Sequence, residues 1–503
     1  MSQDLQTKSD SDISISTSPR VLTCPDTNTC YLKLNPTTSL CTGRYAKTET
    51  VEPSHTTVTP GLSTKTASLP PTWSSFIHPE GQRYYYCDGL KLRVVTEENM
   101  DDPHVATAVS FCVKWIEDTL WQRNIELPDS AELFLQLEDT QENSCSYYFV
   151  DHASRTEFWI DKMDTESLDM DPVVSASHLN LALEKLYWTH VEFFPMHLES
   201  RLPKEIVDSI IDVFSHGQAD RMSSDSSTFP YTTDQCAQLL VLLNSRQGHN
   251  LNGYTICFVA RLWNAICHHR FTSYYGQDVA QLDREQAMLP SDTPDHHWLT
   301  TACDWMLWNM PSFHIEKLNK LFVDNQVYVD QWCLVISACL SGWSSTLSRV
   351  SLALIADILL CMVPGASMTL ALLSIVACCA SITSGSVLLL RHQGLAEASA
   401  STAAIYLRDA KSKTYGFLPS AVIFSLPNAL YMWSLGFLAV HVIFLMSHFF
   451  NAGVVIAVIF LMVSMVCAIL RFTSPDQDSS SLSQLLKPWS WFQRVLQQEC
   501  SIV

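Results

Sequence analysis

Apolar and polar residues recur with two different periods along this chain, and the change of period divides it. After Leu69, the runs "RYYY" and "LRVV" read as two short β-strands with Asp88-Gly89 as the turn between them. Residues 104–124 then place Val105, Val109, Cys112, Val113, Ile116 and Leu120 at helical spacing. A second strand-rich block runs from Glu132 to Trp159. Beyond Asp161 the helical period takes over. In "LPKEIVDSIIDVFSHG", Pro203 marks a helix start and Gly217 its end, with Ile206, Val207, Ile210, Ile211 and Phe214 on one face. "YTICFVARLWNAICHHR" and "HIEKLNKLFVDNQVYVDQW" read as helices in the same way.

Four apolar segments follow, at residues 347–364, 367–390, 429–449 and 452–471. The last three reach the roughly 20 residues that cross a hydrocarbon core. The first is shorter and carries Asp357. Pro364-Gly365 and "SHFFNAG" supply the turns of two membrane hairpins. The Ser/Thr-rich residues 1–68 hold too few large apolar side chains to offset their ordering entropy and are expected to be disordered. In the C-terminal stretch, Trp489, Phe492 and Leu496 sit at near-helical spacing and suit an interfacial helix. The final "CSIV" has only the outline of a prenylation box.

The expected fold is therefore multidomain α+β. A tail (1–68) precedes β-hairpin blocks at 69–100 and 127–162, joined by a connecting helix at 101–126. A mostly α-helical cytosolic domain (163–345), four transmembrane helices (346–472) and a cytosolic tail (473–503) follow.

Charge refines this picture. The net charge of −20 is confined to the front of the chain: residues 331–503 carry six acidic and eight basic side chains, so the first 330 carry −22. An acidic surface repels phosphate backbones, which argues against a nucleic-acid partner. Arg349, Arg391, Arg408, Lys411, Lys413, Arg471, Lys487 and Arg494 fall on one side of a four-pass arrangement, while the turns near 365 and 450 have no Lys or Arg. The positive-inside rule then puts both termini in the cytosol. The seventeen cysteines show no CxxC spacing and are expected to be free thiols.

The strand blocks carry a resemblance. Tyr148-Phe149-Val150-Asp151-His152, then Arg155-Thr156 and Trp159, closely resembles the second and third strands of a WW domain. "LPPTW" and "GQRYYY" are similar to that family's opening, with Thr72 in place of its glycine. The resemblance implies a peptide-binding slot in which Tyr148 and Trp159 clamp a proline, with His152 and Arg155 beside it. It also implies packing roles for Trp73, Tyr85 and Phe149. The first copy has lost the clamp, with Val95 at the groove tryptophan and Asp88 at the histidine. The second has lost its opening tryptophan, and Lys162 stands at the closing proline. Sheets this small are marginal alone, so both blocks are expected to lean on the 104–124 helix and the helical domain. The layout as a whole is similar to multi-pass fungal membrane proteins of no assigned activity.

Candidate chemistry is sparse. His190, Glu192 and His197 match neither HExxH nor a zinc-finger half, so no metal or other cofactor is expected. No Gly-rich phosphate loop or GxSxG elbow is present, and no enzyme is expected. Asp357 lies seven residues before the first turn and His441 eight before the second. At about 1.5 Å per residue they sit at matching depth, which predicts an intramembrane pair. Ala377, Ser381 and Gly385 form a small-residue stripe suited to close helix packing. The expected function is a membrane-anchored interaction or scaffold protein, its partners the lipid bilayer and proline-rich segments. The alternative is a small four-helix channel or transporter with a regulatory cytosolic domain.

Overall fold

Three consecutive tyrosines set the plan of the sheet-bearing region. On a strand, neighbours point to opposite faces, so Tyr85 faces one layer of helix while Tyr84 and Tyr86 face another. All three are buried. The computed structural model describes residues 33–42, 44–45, 53, 55, 69–88, 91–138, 144–199, 201–289 and 297–473. It divides into two units, Met1–Asp225 with Tyr231–Ala280, and Ser226–Pro230 with Gln281–Val503.

The first unit is built on a seven-stranded mixed sheet. Its strands are β1 (Lys33–Pro36), β2 (Trp73–Ile77), β3 (Arg83–Cys87), β4 (Arg93–Thr96), β5 (Ala131–Leu137), β6 (Ser144–Asp151) and β7 (Thr156–Phe158). The order is β1-β6-β5-β4-β3-β2, with β7 also on β6. The two expected hairpin blocks do not stand apart. The helix α1 (Pro103–Gln122) returns the chain so that β5 pairs parallel with β4, fusing both blocks into one sheet. The Asp102 side chain caps α1 by accepting from the His104 backbone N–H, and Pro103 opens the first turn.

The face of the sheet under α1 is a single core. Val109, Cys112, Val113, Ile116 and Leu120 pack there with Leu133 and Tyr147, and Trp73, Tyr85 and Phe149 share that cluster. Thr72, standing where the WW resemblance has glycine, has φ of 76°, a backbone conformation that favours glycine. Of the expected Asp88-Gly89 turn, Gly89 lies outside the described residues.

The opposite face is covered by α2 (Ala176–Phe193), backed by α5 (Gly253–Thr272), with Trp188 stacked on Trp263 at 5.8 Å. Two further helices, α3 (Glu205–Ser223) and α4 (Thr233–Asn244), pack on each other. The helix α3 runs past Gly217, its expected end. Gly217 is buried and continues the stripe Val207, Ile210, Phe214. β1 also departs from expectation, since it lies within the segment read as disordered. The rest of that reading, for 1–32 and most of 46–68, falls outside the described residues.

The second unit holds α6 (His297–Met306), α7 (Met310–Leu321), α8 (Val329–Cys361), α9 (Met368–His392), α10 (Ala400–Ala410), α11 (Leu418–Phe449) and α12 (Ala452–Thr473). Residues 163–345, expected as one helical domain, are thus shared between the two units. "HIEKLNKLFVDNQVYVDQW" is broken between α7 and α8, where Asp324 and Asn325 adopt positive φ.

Among the described residues, three helices, Val329–Cys361, Met368–Leu395 and Leu418–Phe449, are long and apolar enough to cross a membrane. A shorter apolar stretch, Ala452–Met465, begins α12. Hydropathy located α9 and the C-terminal ends of α8 and α11 closely but missed where α8 and α11 begin. The segment read as 347–364 belongs to a helix that starts at Val329, and that read as 429–449 to one that starts at Leu418. Their N-terminal portions share a core with α7 and α10 around Trp332, Trp343 and Phe424. Along the small-residue stripe, Ser381 donates to the Pro427 carbonyl at 2.6 Å, and a Cβ on Gly385 would meet Leu347 at 3.1 Å. At the α8–α9 turn Gly365 has φ of 91°, and a Cβ there would meet the His448 ring at 2.9 Å.

Candidate functional site

An acid stands at an inward position of β5. Glu132 lies opposite Val150 of β6, on the face that also carries Phe134 and Tyr148, and α2 seals that face. A carboxylate in so dry a place persists only with strong donors around it. Three histidines supply them. His190 Nε2 lies 3.1 Å from Glu132 Oε1. His197 Nε2 and His152 Nε2 lie 3.1 and 3.3 Å from Oε2.

Each histidine comes from a different local feature. His152 follows the end of β6. His190 is on the sheet-facing side of α2. His197 belongs to a single 3-10 turn, Met196–Leu198, that follows Pro195 and returns the side chain to the same side. Gly253 permits this last approach, since a Cβ there would lie 2.8 Å from the Met196 Cα.

Every imidazole is held at its other nitrogen by a tyrosine. His190 Nδ1 meets the Tyr148 hydroxyl at 3.1 Å, His152 Nδ1 meets Tyr187 at 3.2 Å, and His197 Nδ1 meets Tyr84 at 3.3 Å. Burial opposes ionisation of Glu132. The electrostatic pull of His197 and the hydrogen bonds from His152, His190 and His197 outweigh it and hold the carboxyl well below its ordinary range. Burial pushes His190 down, toward the neutral form. The site is an ionised carboxylate ringed by imidazoles and backed by phenols, and Glu132, His152 and His190 are spaced to hold a metal ion.

The residues implied by the WW resemblance meet this centre. Tyr148 and His152 share a strand face as expected, but that face does not form an open slot. Tyr148 is fully buried, stacked on Phe134 at 4.7 Å and bonded to His190. Arg155 lies over Trp188 at 5.7 Å. Trp159 donates its indole N–H to the Thr37 carbonyl at 2.7 Å rather than facing Tyr148 across a groove. The helix α2 takes the place a peptide would need, because Tyr148 and Val150 present an apolar face that an adjoining amphipathic helix can cover.

Of the histidines and acid weighed in "THVEFFPMH", Glu192 points elsewhere and accepts from Arg261 at 2.7 Å. His190 and His197 do act together, through a glutamate 58 residues before the first of them. The one local signal for the centre was an acidic residue at an inward register of "AELFLQL".

In the second unit, Asp357 and His441 are both fully buried. Asp357 Oδ2 accepts from Ser374 at 2.6 Å. Its Oδ1 and both His441 nitrogens have no hydrogen-bond partner among the described residues. No hydrogen bond joins the two side chains. Comparison with protein-family models, curated proteins and solved structures gives no match to this chain.

Proposed function

We propose that the protein is a membrane-anchored scaffold, its helices passing the bilayer several times and its acidic sheet-and-helix unit held on the cytosolic side with both termini. The observation that carries this reading is the inside-out pattern of the long helices. Leu352, Ile355, Leu372, Val376, Ile443 and Phe444 are exposed, whereas Ser374, Ser381, Ser434, Asp357 and His441 are buried among the helices. That distribution suits lipid rather than water as the surrounding solvent. Trp433 donates to the Met306 carbonyl of α6, where Trp298 and Trp305 are exposed, a grouping suited to the headgroup level. The basic residues near 349, 391 and 408–413 support the orientation.

The scaffold reading does not keep the proline slot at Tyr148, since docking there requires α2 to leave. It predicts that protease added to sealed, cytosol-out vesicles removes the N-terminal half, and that carbonate washing leaves the helical half in the membrane. Full protection of the N-terminal half, or release by carbonate, overturns it.

The unpartnered atoms of Asp357 and His441 favour a second reading, a small channel or transporter. It predicts ion or proton flux into liposomes that falls at least several-fold in Asp357→Asn. Equal flux from the two proteins, or none from the wild type, rejects it.

A further inference from the structure

The geometry of the buried centre reaches beyond a scaffold. We propose that Glu132, His152 and His190 bind one divalent first-row transition-metal ion, with His197 as the positioning residue that orients the carboxylate.

The separations suit an ion. In a tetrahedral site with bonds of about 2.0–2.1 Å, neighbouring donor atoms lie roughly 3.3 Å apart. His190 Nε2 and His152 Nε2 stand 3.1 and 3.3 Å from the oxygens of Glu132. All three ligand atoms fall within 4.8 Å of one another. An ion enters by exchanging N–H···O hydrogen bonds for coordination bonds, without rebuilding the backbone.

The proton arrangement separates ligands from support. A histidine that ligates through Nε2 must carry its proton on Nδ1 and donate it. The Tyr148 and Tyr187 hydroxyls face His190 and His152 at Nδ1, and a phenol oxygen accepts as readily as its O–H donates. Those two rings can therefore release their Nε2 lone pairs. Tyr84 differs. Its oxygen already accepts the backbone N–H groups of Met196 at 2.8 Å and His197 at 3.2 Å. Its own proton goes to His197 Nδ1, which leaves the His197 Nε2–H to donate to Glu132. His197 holds the carboxylate and does not ligate.

The donor set indicates the ion. Two imidazoles with one carboxylate suit zinc, iron(II) or cobalt(II). The set has no thiolate for copper(I) and too few oxygens for magnesium or calcium. Glu132 and His190 are sealed, but the His152 side chain is 16 % exposed, so the ion enters past His152 and further coordination positions face that side.

The test uses the full-length chain in detergent, with any affinity tag removed and metal stripped by chelator, then titrated with Co²⁺. The expected result is one Co²⁺ per chain with visible d–d bands, displaced by one equivalent of Zn²⁺. His152→Gln, at the rim of the site, should weaken binding about tenfold or more. His197→Gln should weaken it less and keep the bands. X-ray absorption on the wild-type Co²⁺ form, which does not depend on any variant folding, should find two imidazoles in the coordination shell. Absence of bands in the wild type, unchanged affinity in a His152→Gln protein with wild-type circular dichroism, or a shell without imidazole overturns the proposal.

Discussion

Glu132→Leu is expected to destabilise the first unit by about 1–3 kcal/mol, the cost of leaving a buried hydrogen-bond donor without its acceptor. The leucine fills much of the volume, so the loss comes from the stranded donors. His152 and His190 can transfer their protons to Nδ1 and bond to Tyr187 and Tyr148. His197 cannot, because Tyr84 already accepts two backbone N–H groups, and its Nε2–H is left unpaired in a dry core. Glu132→Gln keeps one acceptor oxygen and should lose roughly half as much. Denaturant titration of the detergent-solubilised chain, followed by tryptophan fluorescence, measures both. A loss below about 1 kcal/mol for the leucine variant would show that the network does not hold α2 to the sheet.

The second large effect is a pH dependence set by Glu157. This β7 residue is buried beside Val150, and its carboxyl accepts the Ser39 backbone N–H, at 3.2 and 3.4 Å. Burial raises its pKa from 4.5 to about 8, and the Ser39 hydrogen bond offsets this only in part. Between those values the unfolded chain has released the proton while the folded chain retains it. The unfolded state then binds fewer protons, so stability falls as pH rises through this window. The slope approaches about 1.4 kcal/mol per pH unit, on the order of 5 kcal/mol in all. Glu157→Gln should remove this component and exceed the wild type in stability at pH 8. Denaturation midpoints of both proteins from pH 5 to 8 check it, and parallel curves would refute it.

Local pattern carried the first unit's elements well. The apolar spacing at 104–124 matches Pro103–Gln122, and "RYYY" and "LRVV" fall on β3 and β4. What pattern could not carry was assembly. The parallel pairing of β4 with β5 leaves no trace in either strand, because both are short and apolar. Lys33–Pro36 looked like any polar stretch, since its strand conformation comes from pairing with Ser144–Tyr147 more than a hundred residues away. The His/Glu centre was hidden for the same reason. Its members come from β5, the end of β6, α2 and the turn after α2, and only the packing of α2 on the sheet brings them together. A resemblance that suggested an open slot at Tyr148 could not reveal that the chain supplies its own cover.

The position of β1 has a practical side. It lies parallel along Ser144–Tyr147, next to the stretch of β6 that β7 occupies, and the Ser39 that follows it supplies the N–H to Glu157. A shortened clone beginning at Leu69, the natural choice from composition, would bare half of that rim and leave a buried carboxyl without that donor. Unsatisfied strand rims recruit one another, so such a fragment should be recovered as aggregates or as dimers zipped through β6.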